Sequence, residues 1–280
     1  MENSKQTKET VNNVIFEVLR YNPETDKKPR LEEYTVKVTK GMTVLDGLNW
    51  IKENLDNTLA WRSSCRMGVC GSCAMFINGR ARLACNNQIM HINTKKLVIK
   101  PLPNFAIIRD LVPDFEDFFE KHRTIKPFLI RKKAEELDNP GNEFFQSPEE
   151  LANYIQFAYC IKCGICLAAC PTCATDDRFT GPMALTQGWR YVSDSRDEGA
   201  EEREQELFSR HGVWRCHFAG ACSDACPKGV DPAMAIQLLK RDMFFKQYEK
   251  RKKSPARRET EESKEWKPNP DIPKPPDPTV

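Results

Sequence analysis

The cysteines of this chain stand at fixed spacings, and that grouping constrains the fold more than any other feature of the sequence. Eight of the twelve lie in two runs, Cys65-Cys70-Cys73 and Cys160-Cys163-Cys166-Cys170-Cys173. The remaining four are Cys85, Cys216, Cys222 and Cys226. Thiolates this close together can bind several irons on one loop, and the spacing favours metal ligation over disulfides. The grouping therefore predicts iron–sulfur clusters and an electron-transfer role.

The first run has the CxxxxCxxC…C spacing of a plant-type [2Fe–2S] site. Its four predicted ligands are Cys65, Cys70, Cys73 and Cys85. Gly68 and Gly71 allow the main chain to wrap closely, so that amide hydrogens can point at sulfur. A zinc site is the alternative, although CxxxxCxxC is an unusual spacing for zinc.

The second run begins with CIKCGICLAACP at 160–171, a bacterial-ferredoxin motif whose fourth cysteine binds the other cluster of a pair. Its partner is CHFAGACSDACP at 216–227, which has Ala219 where the first copy has Cys163. Exchange of the fourth ligands gives a complete [4Fe–4S] site formed by Cys160, Cys163, Cys166 and Cys226. Three thiolates remain for a predicted [3Fe–4S] cluster, those of Cys170, Cys216 and Cys222.

The missing fourth ligand at Ala219 leaves alternatives open. Cys173, His217 or water could occupy that place and complete a second [4Fe–4S] cluster. We expect Cys173 to be a buried free thiol instead, because the local spacing of a motif decides which sulfurs reach a cluster. His217, next to Cys216, is either a hydrogen-bond donor near that cluster or a structural histidine.

Hydrophobic periodicity around these motifs predicts two domains joined by a bridge. Strands at 14–21, 33–39, 74–77 and 97–100, with a helix from Thr43 to Leu55, give an α+β ferredoxin-like domain over 1–103. The bridge, 104–146, has an apolar side formed by Phe105, Phe115, Phe118, Phe119 and Phe128. A capping box at Ser147 and Glu150 opens a helical domain over 147–245, and 246–280 is a basic, proline-rich tail that we expect to be disordered.

Composition and motifs exclude several classes of function. The net charge is only +3, from 43 basic and 40 acidic residues, which does not suggest a nucleic-acid partner. The first ten residues resemble neither a secretion signal nor a transit peptide, so we expect the chain to stay where it is made. There is no apolar run of roughly 18 residues, as a membrane span requires. The sequence also has no nucleotide-binding or triad motif, so we expect no organic-substrate site.

Six segments resemble the iron–sulfur subunits of succinate:quinone oxidoreductases, that is, succinate dehydrogenases and fumarate reductases. They are RYNPE (20–24), SCRMGVCGSCAMFING (64–79), RDLVPD (109–114), CIKCGICLAACP (160–171), DSRDEG (194–199) and ACPKGVDP (225–232). The resemblance covers roughly 14–246. It implies an N-terminal β-grasp plant-type [2Fe–2S] ferredoxin domain followed by an all-α bacterial-ferredoxin-like domain.

The resemblance also implies a function and partners. Single electrons would pass between a flavoprotein subunit with covalent FAD and membrane quinone, through [2Fe–2S], [4Fe–4S] and [3Fe–4S] in that order. Membrane anchor subunits, with or without haem b, would hold the chain as a peripheral subunit on the cytoplasmic face of a prokaryotic membrane. Quinone-binding positions carried over from the family are Pro171, Thr172, His217, Gln237 and Lys240.

The physiological direction stays open. His217 is typical of succinate dehydrogenases, whereas Gln237, Lys240 and the CRMGVCGSC loop are typical of fumarate reductases. Two other hypotheses remain: the iron–sulfur subunit of a different flavin dehydrogenase complex, of glycolate or heterodisulfide type, and a redox or iron sensor.

Overall fold

The computed structural model describes residues 12–92, 94–133, 135–141 and 143–252. Its strands are β1 (Asn12–Arg20), β2 (Arg30–Val38), β3 (Ala74–Ile77), β4 (Arg80–Leu83), β5 (Lys96–Lys100), β6 (Ile107–Arg109) and β7 (Val112–Pro113). Its helices are α1 (Val44–Asn54), α2 (Ile89–Ile92), α3 (Glu116–Thr124), α4 (Glu135–Asp138), α5 (Pro148–Ala152), α6 (Ile155–Ala158), α7 (Ile165–Ala169), α8 (Pro171–Thr175), α9 (Pro182–Val192), α10 (Ala200–Leu207), α11 (Ala221–Asp224) and α12 (Pro232–Lys252).

A five-stranded mixed sheet with one helix packed on it forms the sheet region, residues 12–103. The strand order is β2-β1-β5-β3-β4, with β1 parallel to β5 and the other neighbours antiparallel. Thr43 begins α1 in a capping box with Asp46, and the helix buries Leu48 and Ile51. Gly47 brings α1 onto the sheet, since a Cβ there would lie 2.3 Å from the Phe16 ring. The predicted β-grasp fold is confirmed.

The boundaries of this region differ little from the prediction. Alternation in β1 and β2 identified both strands to within three residues, and the helix was placed to within one. Strand β4 was not predicted, because RARL is too short and too basic to give an alternating signal. It pairs with β3 across a turn at Asn78 and Gly79, both in the left-handed conformation that such hairpins require.

The segment after the sheet region contains the β6–β7 hairpin, α3 and a cluster of phenylalanines. The rings of Phe105, Phe115, Phe118 and Phe119 contact one another at centroid distances of 4.9 to 6.1 Å. The expectation that Phe128 joins this apolar side is wrong, because its ring is 57% exposed. Arg203 holds this residue through its main-chain carbonyl, a contact that does not require the ring to be buried.

The helical region, residues 147–240, consists of short helices separated by cysteine loops. Ser147 and Glu150 form the predicted capping box at the start of α5. Arg203 is fully buried and donates to both carboxylate oxygens of Asp197, as well as to main-chain carbonyls at 125, 126 and 128. The predicted all-α fold of this region is confirmed.

The last described helix extends into the segment predicted to be a tail. Helix α12 runs to Lys252, whereas the tail was expected from 246, because Lys, Gln, Glu and Arg are good helix formers even without an apolar face. Residues 253–280 lie outside the described residues. Within the part of the chain that the structure describes, no helix has the length and apolar character to cross a bilayer.

Candidate metal centres

The four cysteines of the first motif are brought together by the β3–β4 hairpin. Cys73 immediately precedes β3, and Cys85 follows β4 on a short 3₁₀ turn. The Ala84 amide donates to the Cys73 carbonyl over 3.0 Å, so the hairpin ladder continues to these two cysteines. Cys65 and Cys70 lie on the loop that precedes the hairpin.

Main-chain amides surround the sulfurs of this loop. Three amides donate to Cys65 Sγ over 3.2 to 3.4 Å, those of Met67, Val69 and Cys70. The Gly68 amide donates to Cys85 Sγ over 3.2 Å, and Gly68 has a φ of +69°. Such donors stabilise thiolate charge and raise the reduction potential of a bound cluster. The predicted role of the glycine-containing loop thus has a direct counterpart in the structure.

A second group of thiols faces one cavity in the helical region. This cavity is lined by Cys160, Cys163, Cys166 and Cys226, together with apolar side chains such as Met183 and Val230. Cys226 comes from the second cysteine motif and the other three from the first. The structure therefore brings together the four residues that the exchange of fourth ligands predicts.

A third group of thiols faces a separate cavity, which we call the third cavity because it belongs to the third predicted cluster. Its lining includes Cys170 from the first motif, Cys216 and Cys222 from the second, and Ala219. The alanine methyl stands where the aligned position of the first motif supplies a thiol. The donor set on this cavity wall is therefore three sulfurs, which matches a cluster with three irons rather than four.

Cys173 lies on helix α8 and packs against the core that contains Phe118, Leu167 and Met183. Its thiol hydrogen-bonds the Cys170 sulfur, and this bond is the main cause that lowers the pKa of Cys170 to about 6. In this arrangement Cys173 donates a hydrogen bond to Cys170, which is one of the predicted ligands. This placement supports the expectation that Cys173 is a free thiol, although its side chain is half-buried rather than buried.

Burial disfavours the bare thiolates in both cavities of the helical region. It raises the pKa of Cys163 to about 12 and that of Cys222 to about 11. Bound iron deprotonates its thiol ligands and supplies the compensating positive charge. The soft donor sets and their apolar surroundings therefore fit iron–sulfur clusters.

The zinc alternative does not fit this arrangement. Among the described residues, no three His, Cys, Asp or Glu side chains converge on the position of a single metal ion. A tetrahedral zinc site needs its four ligands about 2.0 to 2.3 Å from one ion.

The residues predicted to bind quinone are placed on or near the third cavity. Pro171, Thr172 and His217 are among its lining residues, and His217 is exposed. Gln237 follows the lining residue Ile236 on α12, and its buried amide nitrogen has no partner among the described residues. Lys240 donates from Nζ to the Cys216 carbonyl over 2.8 Å, so this lysine also holds the loop of a predicted ligand.

Comparison with protein families matches both cysteine regions. Residues 15–120 match a 2Fe-2S iron-sulfur cluster binding domain, and residues 156–230 match a 4Fe-4S dicluster domain. The fumarate reductase iron-sulfur subunit of Mycobacterium tuberculosis (strain CDC 1551 / Oshkosh) is 45% identical over 227 residues, which cover 81% of this chain and 91% of the relative. The chain belongs to the family of fumarate reductase and succinate dehydrogenase iron–sulfur subunits. The fumarate reductase iron-sulfur subunit of Haemophilus influenzae is 44% identical, over 79% of this chain and 89% of the relative.

A solved structure agrees with the assignment of this iron–sulfur subunit. A chain of the Mycobacterium smegmatis Sdh1 complex in the apo form superposes with a TM-score of 0.75 at 27% identity, over 85% of this chain and 98% of that one. Iron–sulfur subunits of this family carry three clusters, including a [3Fe–4S] cluster. The predicted electron-transfer function and the predicted cluster types are confirmed.

Two of the segments that carry the family resemblance meet in a buried network of charges. Arg20 of the RYNPE segment donates from Nε to the carboxylate of Asp110, in the RDLVPD segment, over 3.1 Å. Asp110 also accepts the main-chain amides of Tyr21 and Ala60, both at 2.9 Å. The two segments therefore hold the end of β1 against the start of the bridge, which explains why they occur together in one chain.

Sequence reasoning missed Asn104, which ties the sheet region to the cluster loops. Its side-chain amide donates to the carbonyls of Leu167, Ala168 and Cys170 at 3.0 to 3.3 Å, at the end of α7. Its φ is +64°, a conformation that Asn tolerates better than most residues. An asparagine directly after Pro103 is a turn signal that could have identified this position.

Proposed function

We propose that this subunit holds its three clusters on the ligand sets that the structure brings together. Cys65, Cys70, Cys73 and Cys85 would bind [2Fe–2S]; Cys160, Cys163, Cys166 and Cys226 would bind [4Fe–4S]; and Cys170, Cys216 and Cys222 would bind [3Fe–4S]. The observation that carries this proposal is the crossed lining of the two cavities, each of which takes its last thiol from the other motif.

The subunit relays single electrons between the flavin of a partner and membrane quinone. Its partners are a flavoprotein subunit with covalent FAD and one or more membrane anchor subunits, with or without haem b. Quinone binds beside the third cavity, where Pro171, Thr172 and His217 form part of the wall and Gln237 and Lys240 lie on the adjoining helix. The complex stands on the cytoplasmic face of a prokaryotic membrane, with this subunit peripheral.

The chain is organised as a [2Fe–2S] domain over 1–103, a bridge over 104–146, a helical domain over 147–245 and a tail over 246–280. The bonds from Asn104 to the end of α7 support a boundary at this point, because they join the end of the sheet region to a cysteine loop of the helical region. The phenylalanine cluster of the bridge supports its placement between these regions, since Phe105 and Phe115 pack against both core clusters.

Low-temperature EPR of the anaerobically purified complex tests the proposal. In the oxidised state we expect the signal of a three-iron cluster, and succinate should then reduce a [2Fe–2S] cluster. Dithionite should reveal the [4Fe–4S] cluster. An oxidised sample without a signal, with two [4Fe–4S] clusters after reduction, would show that another group fills the gap at Ala219.

Two cysteine variants distinguish a predicted cluster ligand from a cysteine that is not expected to bind the cluster. Cys222→Ser should abolish the three-iron signal, because it removes one of three thiolates. Cys173→Ser is the matched control from the same region, and it should keep that signal.

If the complex contains all three clusters but succinate reduces none of them, a different flavin dehydrogenase partner becomes the better hypothesis.

Substitution of His217 tests the quinone site. His217→Ala should slow electron delivery to quinone while the three clusters and their reduction by succinate remain. Unchanged quinone reduction would remove His217 from the site.

A further inference from the structure

The loop of the [2Fe–2S] motif touches the loop of the [4Fe–4S] motif at a single glycine. Gly71, between Cys70 and Cys73, has a φ of +78°. A Cβ built on Gly71 would lie 2.7 Å from Cys163 Cβ and 3.1 Å from Cys163 Cα. Carbon atoms do not approach so closely without a bond, so the two loops stand as near as a residue without a side chain allows.

Aromatic rings also pack closely against the Cys163 loop, at the next residue. Gly164 follows Cys163, and a Cβ on Gly164 would lie 2.7 Å from the Phe115 ring and 3.0 Å from the Phe105 ring. Those two rings pack edge to face at 4.9 Å, and the Arg62 guanidinium lies 5.6 Å from the Phe115 centroid. The Cys163 loop therefore packs against Gly71 at one residue and against the Phe105–Phe115 pair at the next.

We propose that Gly71 is a positioning residue for electron transfer within the subunit, and that it fixes the separation of the [2Fe–2S] and [4Fe–4S] clusters. This inference rests on the proposed ligand sets, in which Cys70 and Cys163 each bind one of the two clusters. The reaction step that Gly71 affects is the transfer of one electron from the reduced [2Fe–2S] cluster to the oxidised [4Fe–4S] cluster. No bond forms or breaks, and the rate falls steeply with the distance between the clusters.

Gly71→Ala in the complete complex is the test. The added methyl group would overlap Cys163, so the two loops have to move apart to admit it. After full reduction with dithionite, EPR of the wild-type complex should show magnetic interaction between the two reduced clusters. We expect Gly71→Ala to weaken that interaction, because dipolar coupling falls with the distance between the spins, while iron and sulfide analysis shows all clusters present. Rapid-mixing experiments should also show slower reoxidation of the [2Fe–2S] cluster by quinone.

Two glycine variants control for backbone strain alone. Gly79→Ala has a comparable φ of +79°, and its Cβ would meet nothing within 4 Å, so it should retain both the magnetic interaction and the rate. Gly68→Ala lies in the same loop with a φ of +69°, and its Cβ would contact only Asn86, at 3.7 Å. We expect a shift of the [2Fe–2S] potential there, because the Gly68 amide donates to Cys85, but the magnetic interaction should remain.

The outcomes distinguish this inference from the proposed function. If Gly71→Ala retains the interaction and the rate of Gly79→Ala, the inference is overturned. If Gly71→Ala assembles no clusters, Phe115→Leu replaces it, because a smaller side chain beside Gly164 removes part of the packing that holds the Cys163 loop in place. With Phe115→Leu, a weaker interaction supports the inference and an unchanged one overturns it. Dithionite reduction needs no substrate, so these results stand even if the complex fails to oxidise succinate.

Discussion

The sheet region and the helical region use their cysteines in different ways. In the sheet region, Cys73 and Cys85 join a large core of aliphatic side chains from the five strands and α1. In the helical region, Cys166 and Cys222 are two of the six buried residues in one core cluster. The first region has a large aliphatic interior, to which Ile165 and Ala168 of the helical region also contribute, and it presents a loop to its cluster. The second has predicted cluster ligands in a small core cluster, so we expect its fold to depend more strongly on iron.

Removal of iron should therefore affect the two regions unequally, and this is the largest effect we expect. Without metal, buried thiols of the helical region face each other across two cavities, and metal-binding free energy in such sites contributes directly to folding. After anaerobic chelation with a reductant, limited proteolysis with mass spectrometry should find cleavage within 147–240 and a protected fragment over 12–103. Equal protection of both regions would contradict the comparison.

The second prediction changes the ligand count that separates the two regions. The sheet region supplies four thiolates to its predicted site, whereas the third cavity has three and the methyl group of Ala219. Ala219→Cys should convert [3Fe–4S] to [4Fe–4S], lower its potential and slow electron delivery to quinone. EPR of the oxidised complex should lose the three-iron signal. Ala221→Ser, two residues away on the same loop, serves as the control and should keep the signal.

The third prediction concerns a buried ion pair of the helical region. Arg203→Met leaves the Asp197 carboxylate buried without its partner and three carbonyls without their donor, so it should lower the free energy of unfolding by about 3–5 kcal/mol. Urea unfolding followed by circular dichroism measures the change. Arg123→Met removes an exposed arginine that is paired with Glu116 and Glu120, and it should leave stability nearly unchanged. Similar losses in both variants would show that burial does not determine the effect.

Much of this molecule could be predicted from its sequence, because the informative signals are local. Cysteine spacing predicted which thiols share a cavity, since each motif is one short loop whose geometry limits ligand reach. Alternating apolar residues predicted β1 and β2, and Thr43 and Ser147 predicted two helix starts. These features need no knowledge of distant contacts.

What could not be predicted depends on contacts between distant segments. Gly71 and Cys163 are more than ninety residues apart, and nothing in either loop indicates that they touch. Phe128 is held through its carbonyl by Arg203, a residue of a helix far along the sequence, and nothing in the sequence around Phe128 indicates this contact. Strand β4 exists because β3 offers it a partner, although its own sequence is a weak strand signal.

The smallest effect we expect compares how the two regions tolerate one added methyl group. In Gly47→Ala, the Cβ would lie 2.3 Å from the ring of Phe16, a rigid side chain at the centre of the sheet core. In Gly188→Ala, it would lie 2.5 Å from a terminal methyl of Leu207, which can turn aside. Overpacking lowers the free energy of unfolding by about 1–3 kcal/mol, whereas the higher helix propensity of alanine raises it by about 1 kcal/mol.

We therefore expect Gly47→Ala to lower the free energy of unfolding by more than Gly188→Ala does. Urea titration of the two variants gives the difference, with Gly141→Ala as a control whose Cβ meets nothing within 4 Å. The informative result is which of the two variants loses more stability. Both glycines lie in helices, so the gain in helix propensity from alanine is the same in each variant and cancels in the difference. If Gly188→Ala proved the more damaging, the helical region would be the more rigidly packed of the two, and its dependence on iron would then have to come from the ligand bonds alone.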